Sequence, residues 1–495
     1  MNYIEGDTLE NANRRLKRDD INVVDSKVAK QTVLVTSLGN AMEWFDFGLY
    51  AYLAVTIGKV FFPEVAPSYQ LIFAFATFAI AFIARPVGGY IFGMLGDRVG
   101  RKKVLSLTLI LMAASTLFIG LIPSYETIGV AAPILLLIAR LIQGFSTGGE
   151  YAGAMTYIAE STPDKKRGFL TSSLEVGTSV GFTLSAALVT ILTFILGPET
   201  MVEWGWRLPF LIAAPLGFIG FYLRSRLEES PAFKAMEKEK VEERHQTSLK
   251  EILVYHWKSL LICIGIVLFY NTALYMVLTY MPSYLTQELG YGETKGLLYS
   301  LLVMISQIPF ILVMGYLSDR MGRNRIVNVA LIGMILLSVP AFMMMATGND
   351  FVVFFGLFIL GIMLAAFQGA LPAALPSLFF TKVRYGSLAI TYNVSTSLFG
   401  GTTPLIFASL VSLTGNNMMP AYYLMFVCFI GLVIVFFFVK ETAGRSLRGS
   451  APIVEEPKEI DEILKNPDEA LWWREELPPL EKAVETVYKQ EVSTK

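Results

Sequence analysis

Apolar residues occur along this chain in about twelve long runs, each near the ~20 residues that an α-helix needs to cross ~30 Å of hydrocarbon. Short polar or charged stretches separate the runs. The pattern therefore predicts twelve membrane-spanning helices. We place them at residues 31–57, 69–93, 104–122, 130–158, 168–196, 206–224, 258–286, 296–317, 326–346, 351–377, 386–413 and 418–439.

A charged stretch, RSRLEESPAFKAMEKEKVEERHQTSLKE, separates the sixth run from the seventh. It indicates a polar linker between two halves of six helices each. The fold class predicted is an all-α polytopic membrane protein. Its parts are an N-terminal segment 1–30, a first half 31–224, a linker 225–257, a second half 258–440 and a tail 441–495.

Composition supports a membrane protein and excludes several other classes. Hydrophobic residues make up 54% of the chain and charged residues 16%, and the mean hydropathy is +0.55, which is typical of polytopic membrane proteins rather than soluble domains. The net charge of −1 offers no basic face for nucleic acid. Cys263 and Cys428 lie in apolar runs, where small buried side chains are expected and not a disulfide framework.

The two histidines and the absence of a nucleotide motif restrict the source of energy. His245 and His256 fall in or beside the linker, so neither a histidine proton relay inside the membrane nor a histidine-based zinc site is expected. The chain contains no Gly-x-x-x-x-Gly-Lys-Ser/Thr sequence. We therefore expect no cofactor, no metal and no enzymatic reaction, and an ion gradient as the energy source.

Lys and Arg are distributed unevenly between the two sides of the predicted bundle. The loops DRVGRKK, PDKKRG, DRMGRNR and KETAGRSLRG share one side with the linker, whereas the opposite loops carry few basic residues, such as Lys59 and Lys295. The positive-inside rule makes the basic side cytoplasmic, with both termini inside. The first thirty residues are too polar for a signal peptide.

One loop sequence occurs twice. GMLGDRVGRKK (93–103) follows the second run and GYLSDRMGRNR (315–325) follows the eighth, with Gly, Asp, Arg, Gly and Arg at the same spacing. A weaker echo pairs AESTPDKKRGFL after the fourth run with FFTKVRYGSLA after the tenth. Duplication of a six-helix unit explains both, and in transporters such repeats flank a site near the membrane midplane.

These motifs resemble the major facilitator superfamily. The repeated loop is similar to its signature loop, and RLIQGFSTGG (140–149) resembles its Arg-x-x-Gln-Gly motif, which is associated with proton-coupled members. SLGNAMEWFDFG, RPVGGYIFGMLGD, GEYAGA, LTYMPSYL and MMPAYYLM are similar to the metabolite:proton symporters, in particular the osmoregulatory proline/glycine-betaine symporters. The resemblance covers about residues 30–450 and implies the major facilitator fold.

Ionisable residues inside the predicted spans are the candidate coupling groups, because each costs ~2.5–3.5 kcal/mol at a helix centre and needs a partner, water or a function. They occur in the first half only and are Glu43, Asp46, Arg85, Arg140, Glu150 and Glu175.

Glu43 and Asp46 lie three residues apart on one helix. Two close carboxylates at low dielectric do not both stay ionised, which suits one of them to carry a proton. Glu43 is the leading proton acceptor, with Arg140 setting its charge state and Glu150 and Glu175 as secondary relay members or partners of Arg140. Alternatively, Glu43 or Asp46 only pairs with Arg140 or Arg85 to neutralise its charge.

Polar and aromatic residues are the candidate substrate-binding groups. Those of the first half are Asn40, Trp44, Phe47 and Tyr50; those of the second are Asn271, Tyr275, Tyr280, Gln368, Tyr392 and Asn393. Aromatic faces attract quaternary ammonium groups by cation–π contact, worth ~2 kcal/mol when desolvated. The alternative is that single aromatics belong to the interfacial belt of a membrane protein.

The signature loops supply the candidate gate. Charge pairs and helix-end contacts there are expected to hold the halves together on the cytoplasmic side, and a purely topogenic role is the alternative. The residues assigned to this cytoplasmic gate are Arg85, Asp97, Arg98, Arg101, Asp319 and Arg323.

We expect a transporter that couples proton influx to uptake of a zwitterionic osmolyte such as proline or glycine betaine, with osmotic activation implied by the resemblance. A dicarboxylate or citrate symporter is an alternative, although a dianion should require more than one uncommitted cation inside the membrane. A non-transporting osmosensor would require a soluble output module. An uncoupled facilitator would leave the buried carboxylates unexplained. The partners expected are the substrate, protons and lipid, with the oligomeric state open.

The tail departs from the resemblance. The osmoregulatory symporters often end in a heptad coiled coil, whereas Pro467, Pro478 and Pro479 interrupt this tail before clean heptads can form. Residues 456–495 are rich in Glu and Lys. They are predicted to form a largely solvated segment with short helices.

Overall fold

The computed structural model describes residues 16–99, 101–148, 150–215 and 256–476, and most of these residues are helical. The first half contains the helices α1 (Ser26–Tyr52), α2 (Ala54–Phe61), α3 (Pro67–Val99), α4 (Arg101–Leu121), α5 (Ala131–Ser146), α6 (Glu150–Glu160) and α7 (Arg167–Thr200). A short helix, Tyr125–Ile128, precedes α5, and a π-helical turn, Met201–Gly205, follows α7. Helical residues 207–215 end the described part of this half.

The second half contains α8 (Trp257–Tyr275), α9 (Glu293–Met321), α10 (Arg323–Met345), α11 (Asp350–Ala374), α12 (Thr381–Ser395), α13 (Thr403–Thr414) and α14 (Met419–Phe438). Two π-helical turns, Met276–Tyr280 and Tyr284–Glu288, extend α8, and a third, Thr396–Gly400, connects α12 to α13. Such π turns often lie at functional sites.

Nine helical segments in the described ranges are long and apolar enough to cross a membrane. The other three predicted spans correspond to α1, to α4 with its apolar part Ile110–Leu121, and to the helix that begins at residue 207. The predicted linker lies outside the described residues except for His256 and Trp257.

Glycines bring the helices of the first half into backbone contact. A Cβ atom on Gly144 of α5 would lie 1.7 Å from the Ala81 carbonyl oxygen of α3, and one on Gly88 of α3 would lie 1.8 Å from the Phe145 oxygen of α5. Gly181 of α7 meets α1 in the same way. Small residues at helix crossings let membrane helices pack closely. These crossings set the positions of the charged side chains described below.

The weaker sequence echo is reproduced in the structure. Arg167 and Arg384 are both fully buried, and the Nε atom of each donates to a carbonyl oxygen eight residues earlier, Ala159 for Arg167 and Pro376 for Arg384. Each guanidinium also reaches a carbonyl of the chain after α14. Equivalent residues therefore occupy equivalent places in the two halves, as duplication predicts.

The two halves contact each other near both ends of the bundle. Near one end, Lys59 pairs with Glu293 at 3.0 Å. Near the other, the Asp319 carboxylate of α9 accepts hydrogen bonds from the backbone amides of Gly168 and Phe169, at 2.7 and 2.9 Å. Asp319 thereby satisfies amides in the first turn of α7, where the helix dipole favours an anion.

Residues 16–25 and 441–476 fold together against the Asp319 end of the bundle, and we call them the terminal module. Asn22 and Val23 (β1) pair in parallel with Ile453 and Val454 (β2). The backbone amide of Ile453 donates to Asp164, beside α7. The side of the bundle covered in this way is called the terminal face.

Apolar and charged contacts both hold the module in place. Leu471, Trp472 and Trp473 form a buried cluster with Leu16 and Phe380. Three carboxylates face two lysines that precede α7; the pairs are Lys165–Glu459, Lys165–Glu462 and Lys166–Glu455. The hydrogen bond from the Lys165 ammonium holds the pKa of Glu462 below its usual value.

The tail therefore differs from its prediction. Short helices are present at Lys458–Lys465, Pro467–Ala470 and Trp472–Glu476, as predicted, but the prediction of a largely solvated segment is wrong for four buried residues, Ile460, Leu471, Trp472 and Trp473. The prediction rested on the high average content of charged residues, which does not register a single apolar pair. Trp472 and Trp473 supply enough apolar surface to dock the segment. Pro467 begins a helix here, as suits its fixed φ. Residues 477–495 lie outside the described residues.

Candidate functional site

The two carboxylates of α1 are buried and have different partners. Glu43 Oε1 lies 3.3 Å from Arg85 Nη2, and both side chains are at most 2% exposed. Asp46 Oδ2 accepts a hydrogen bond from Thr116 of α4 at 3.2 Å. One helical turn thus directs one carboxylate to α3 and the other to α4.

Arg140 of α5 reaches Asp46 through neutral side chains. Its Nη1 atom donates to Gln143 at 2.5 Å, and Gln143 Nε2 donates to Thr116 at 2.9 Å. Thr116 in turn donates to Asp46. The guanidinium of Arg140 also lies 4.2 Å from the centroid of the Tyr50 ring. A chain of hydrogen bonds therefore connects Arg140 to Asp46, whereas Glu43 forms its ion pair with Arg85.

Arg85 is placed differently from its sequence-based assignment. The sequence groups it with the gate, but its guanidinium lies over the rings of Phe47 and Phe82, each at 4.6 Å, and over Trp44 at 5.5 Å. Together with the ion pair to Glu43, these contacts move Arg85 into the buried site. The reason is the close crossing of α3 and α5 at Gly88 and Gly144, which carries Arg85 into the bundle interior.

Glu175 of α7 links the two halves. Tyr151 of α6 donates to its Oε1 atom, and Gln368 of α11 donates to Oε2 at 3.4 Å. Gln368 also donates to Ser179 at 3.2 Å and accepts from Gln307 of α9 at 3.0 Å. A carboxylate of the first half is therefore fixed by an amide pair of the second half.

Aromatic rings from both halves fill the space between Arg85 and Glu175, and we call this set the aromatic cluster. Its members are Trp44, Phe47, Phe82, Tyr151, Phe182, Tyr275 and Tyr392.

Trp44 lies at the centre of the aromatic cluster. Its ring centroid is 5.4 Å from that of Phe182, 6.2 Å from that of Tyr151 and 6.3 Å from that of Tyr275. Tyr151 stacks on Tyr392 of α12 at 4.7 Å. The hydroxyl of Tyr275 is fully buried and has no hydrogen-bond partner among the described residues. A polar group left without a partner in such a place suits contact with a ligand.

Several other predicted residues support this cluster or lie apart from it. Asn40 donates to the Leu174 carbonyl and accepts from Trp44 Nε1, so it fixes the indole. Tyr50 donates to the Ala74 carbonyl at 3.0 Å. Glu150, which begins α6, is only partly buried.

In the second half, three predicted residues have partners outside the aromatic cluster. Asn271 donates to Thr396, and Asn393 donates to a carbonyl of its own helix. Tyr280 packs against Phe75, Tyr284 and Phe407. These contacts hold the helices of the protein in place and do not direct the three side chains into the aromatic cluster.

Two of the gate residues lie where the halves meet at the terminal face. Asp319 binds the start of α7, and Arg323 lies 3.7 Å from Asp319 and donates to Thr442 of the terminal module. The side chains of Asp97, Arg98 and Arg101 lie outside the described part of the structure.

Sequence reasoning missed Thr116, Gln143, Tyr151 and Gln307. The signal for two of them was present: Gln143 belongs to the Arg-x-x-Gln-Gly motif, and Gln307 is an amide inside an apolar run. Uncharged polar residues in membrane helices form interhelical hydrogen bonds. Thr and Tyr are too common in apolar helices for Thr116 and Tyr151 to be singled out by residue type.

Comparisons with known proteins agree with this architecture. A family model described as the Major Facilitator Superfamily matches residues 36–402 and 304–474. Among solved structures, a xylose transporter of that superfamily, the proton:xylose symporter XylE bound to 6-bromo-6-deoxy-D-glucose, superposes with a TM-score of 0.70 at 19% identity, covering 88% of this chain and 99% of that one.

Curated relatives are much closer in sequence. A putative proline/betaine transporter of Staphylococcus haemolyticus is 47% identical over 92% of this chain and 97% of its own length. The glycine betaine/proline/ectoine/pipecolic acid transporter OusA of Dickeya dadantii and the proline/betaine transporter of Salmonella typhimurium are each 47% identical over 90% of both chains. This chain belongs to the major facilitator superfamily, and its fold is that of a polytopic all-α membrane transporter.

Proposed function

We propose that this protein couples proton influx to the uptake of small zwitterionic osmolytes, of which proline and glycine betaine are the leading candidates. The observation that carries the proposal is the aromatic cluster with Arg85 at its edge, built by both halves in the bundle interior. Cation–π contact recognises quaternary ammonium, and a guanidinium recognises a carboxylate. The printed names of the relatives point to the same substrates.

We assign the exchanging proton to Asp46 in preference to Glu43. Glu43 is held by a direct ion pair with Arg85, so a proton exchanging there would have to break a buried charge pair. Asp46 accepts from the neutral Thr116 hydroxyl, and the charge of Arg140 acts on it through Gln143 and Thr116. Movement of α5 relative to α1 would therefore change the hydrogen bonds and the charge that Asp46 faces.

The orientation follows from the basic residues of the terminal face. Lys165, Lys166, Arg323 and Arg384 all lie there, and by the positive-inside rule this face is cytoplasmic. We therefore propose a bacterial inner-membrane protein with both termini inside. Alternating access would open the halves in turn around the site. The resemblance to osmoregulatory symporters adds activation by raised osmolality to the proposal.

Transport by the purified full chain in proteoliposomes tests the proposal. We expect an imposed inward proton gradient to drive accumulation of proline or glycine betaine, little uptake of citrate or 2-oxoglutarate, and higher rates when external osmolality is raised. A protonophore should abolish the accumulation. Strong uptake of the acids without the zwitterions would contradict the substrate class, and accumulation insensitive to the protonophore would contradict proton coupling.

A further inference from the structure

Glu175 is a fully buried carboxylate whose described hydrogen-bond donors are all neutral. Tyr151 and Gln368 donate to its two oxygens, and Tyr270 and Thr178 also face it. Neutral donors ease the burial of an anion but leave its charge uncompensated, and a buried charge without a counter-charge is costly. Since the described residues supply no counter-charge, a proton or a cation that arrives from elsewhere would remove this cost.

The surroundings of Glu175 are those of a site for an organic cation. Tyr151 and Tyr392 stack on each other next to the carboxylate, and Trp44 meets Tyr151 edge to face. Rings beside an anion are the arrangement that holds ammonium groups carrying methyl or methylene substituents. Glu175 also touches Gln368 of the second half, so opening of the halves would uncover it.

Arg85 occupies the other side of the same cluster. Its guanidinium lies 5.5 Å from the Trp44 ring, and Trp44 contacts Tyr151, which donates to Glu175. Glu43 engages Nη2 of Arg85, whereas Nε is buried without a hydrogen-bond partner among the described residues. A charged donor therefore remains available to a carboxylate.

We propose that Arg85 and Glu175 are the two charged poles of the ligand site. Arg85 receives the carboxylate of a zwitterion, and Glu175, with Tyr151 and Tyr392, receives its cationic group. The assignment rests on the proposed function and deepens it, because it explains how a net-neutral ligand with separated charges is preferred over ligands with one charge. It also gives Glu175 a role in specificity that is separate from proton transfer.

The test uses ligands that carry only one of the two charges. Glycine betaine has both; 3,3-dimethylbutanoate is its shape analogue with the carboxylate alone, and choline carries the cation alone. Wild-type and Glu175→Gln chains in proteoliposomes are compared in betaine counterflow, without a proton gradient, with each analogue as competitor. Glu203→Gln, the same chemical change at an exposed carboxylate of the turn after α7, is the control.

We expect Glu175→Gln to reduce the preference for betaine over 3,3-dimethylbutanoate by about tenfold or more, because removing the anion removes the penalty for a neutral group at that pole. Glu203→Gln should keep the wild-type preference. Equal loss of affinity for every ligand would mean that Glu175 only holds the two halves together and does not contact the ligand. An unchanged preference in counterflow, with proton-driven accumulation lost when the same vesicles are given an inward proton gradient, would make it a proton carrier. Either result overturns the assignment.

A second variant tests the other pole without removing its charge. Arg85→Lys retains a cation for Glu43 but loses the planar fork, so it should weaken betaine and 3,3-dimethylbutanoate together and leave choline competition within about threefold of wild type. Choline weakened as much as betaine would contradict this pole. If the wild-type chain exchanges no zwitterion, the proposed function fails and this assignment fails with it. If the wild-type chain exchanges betaine but the variants show the contrary competition ratios, only the assignment of the two poles fails.

Discussion

Replacing Glu43 by Gln should destabilise the bundle strongly, because it leaves the Arg85 charge buried without its partner. The pair is separated by 3.3 Å, and neither side chain is more than 2% exposed. At an effective dielectric constant of ~20, Coulomb attraction at that distance is about 5 kcal/mol. Removing one partner of a buried pair typically costs ~3–5 kcal/mol.

The rings around Arg85 reduce that cost. Phe47 and Phe82 each lie 4.6 Å from its guanidinium and continue to stabilise the cation. We therefore expect a loss of about 3 kcal/mol for Glu43→Gln, near the lower end of the range for buried pairs. The double variant Glu43→Gln/Arg85→Gln removes both charges and should recover much of this loss.

The assay is unfolding in mixed micelles by increasing SDS, followed by tryptophan fluorescence, for Glu43→Gln, Arg85→Gln and the double variant. Lys295→Met is the matched control, since Lys295 pairs with Asp350 at 3.0 Å but both side chains are more than half exposed. Because solvent screens this exposed pair, its loss should change stability little. The reasoning is refuted if Glu43→Gln costs no more than Lys295→Met, or if the double variant is less stable than Glu43→Gln.

Three further predictions concern other parts of the molecule. Asp46→Asn should abolish proton-driven accumulation and the accompanying external alkalinisation while ligand exchange continues, because the amide still accepts the Thr116 hydrogen bond but releases no proton; retained alkalinisation would place the carrier elsewhere. Gly144→Ala should lower the free energy of unfolding by ~1–3 kcal/mol, since its Cβ would meet a backbone oxygen, whereas Gly292→Ala, with open space around it, should stay within ~0.5 kcal/mol. Trp472→Ala should expose the terminal module to protease at low enzyme concentration while the bundle's unfolding temperature is unchanged, and a module as resistant as wild type would contradict its docking by the tryptophan pair.

Much of the fold follows from the sequence because one physical requirement dominates it. Backbone polar groups cannot be left unsatisfied in hydrocarbon, so long apolar runs become helices whatever their neighbours are. The repeated loop then gives the relation between the halves. The terminal module could not be predicted in this way, because its docking depends on the Trp472–Trp473 pair meeting Phe380, a contact between residues far apart in the chain.

The composition of the candidate site was easier to predict than its pairings. An ionisable residue in an apolar run is visible in the sequence, and Glu43, Arg85 and Glu175 were found by that criterion. Periodicity places such residues on a helix face but says nothing of which helix that face meets. The sequence therefore places Arg85 at the gate and favours Arg140 as the residue that acts on Glu43, with a Glu43–Arg85 pair only as an alternative. The structure shows that alternative pair.

The glycine crossing explains why α1 carries two carboxylates one turn apart. Gly88 lies three residues after Arg85, and Gly144 lies four residues after Arg140, so the contact of α3 with α5 brings both arginines to the Phe47 ring, at 4.6 and 5.4 Å. Two guanidiniums this close repel each other in a medium of low dielectric constant. Two carboxylates on one turn of α1 offset both charges: Glu43 by direct contact and Asp46 through hydrogen-bonded neighbours. Only the connection from Arg140 to Asp46 contains uncharged groups that can rearrange, namely Gln143 and Thr116. In the proposed coupling, a proton would therefore enter and leave at Asp46 without breaking the Glu43–Arg85 pair.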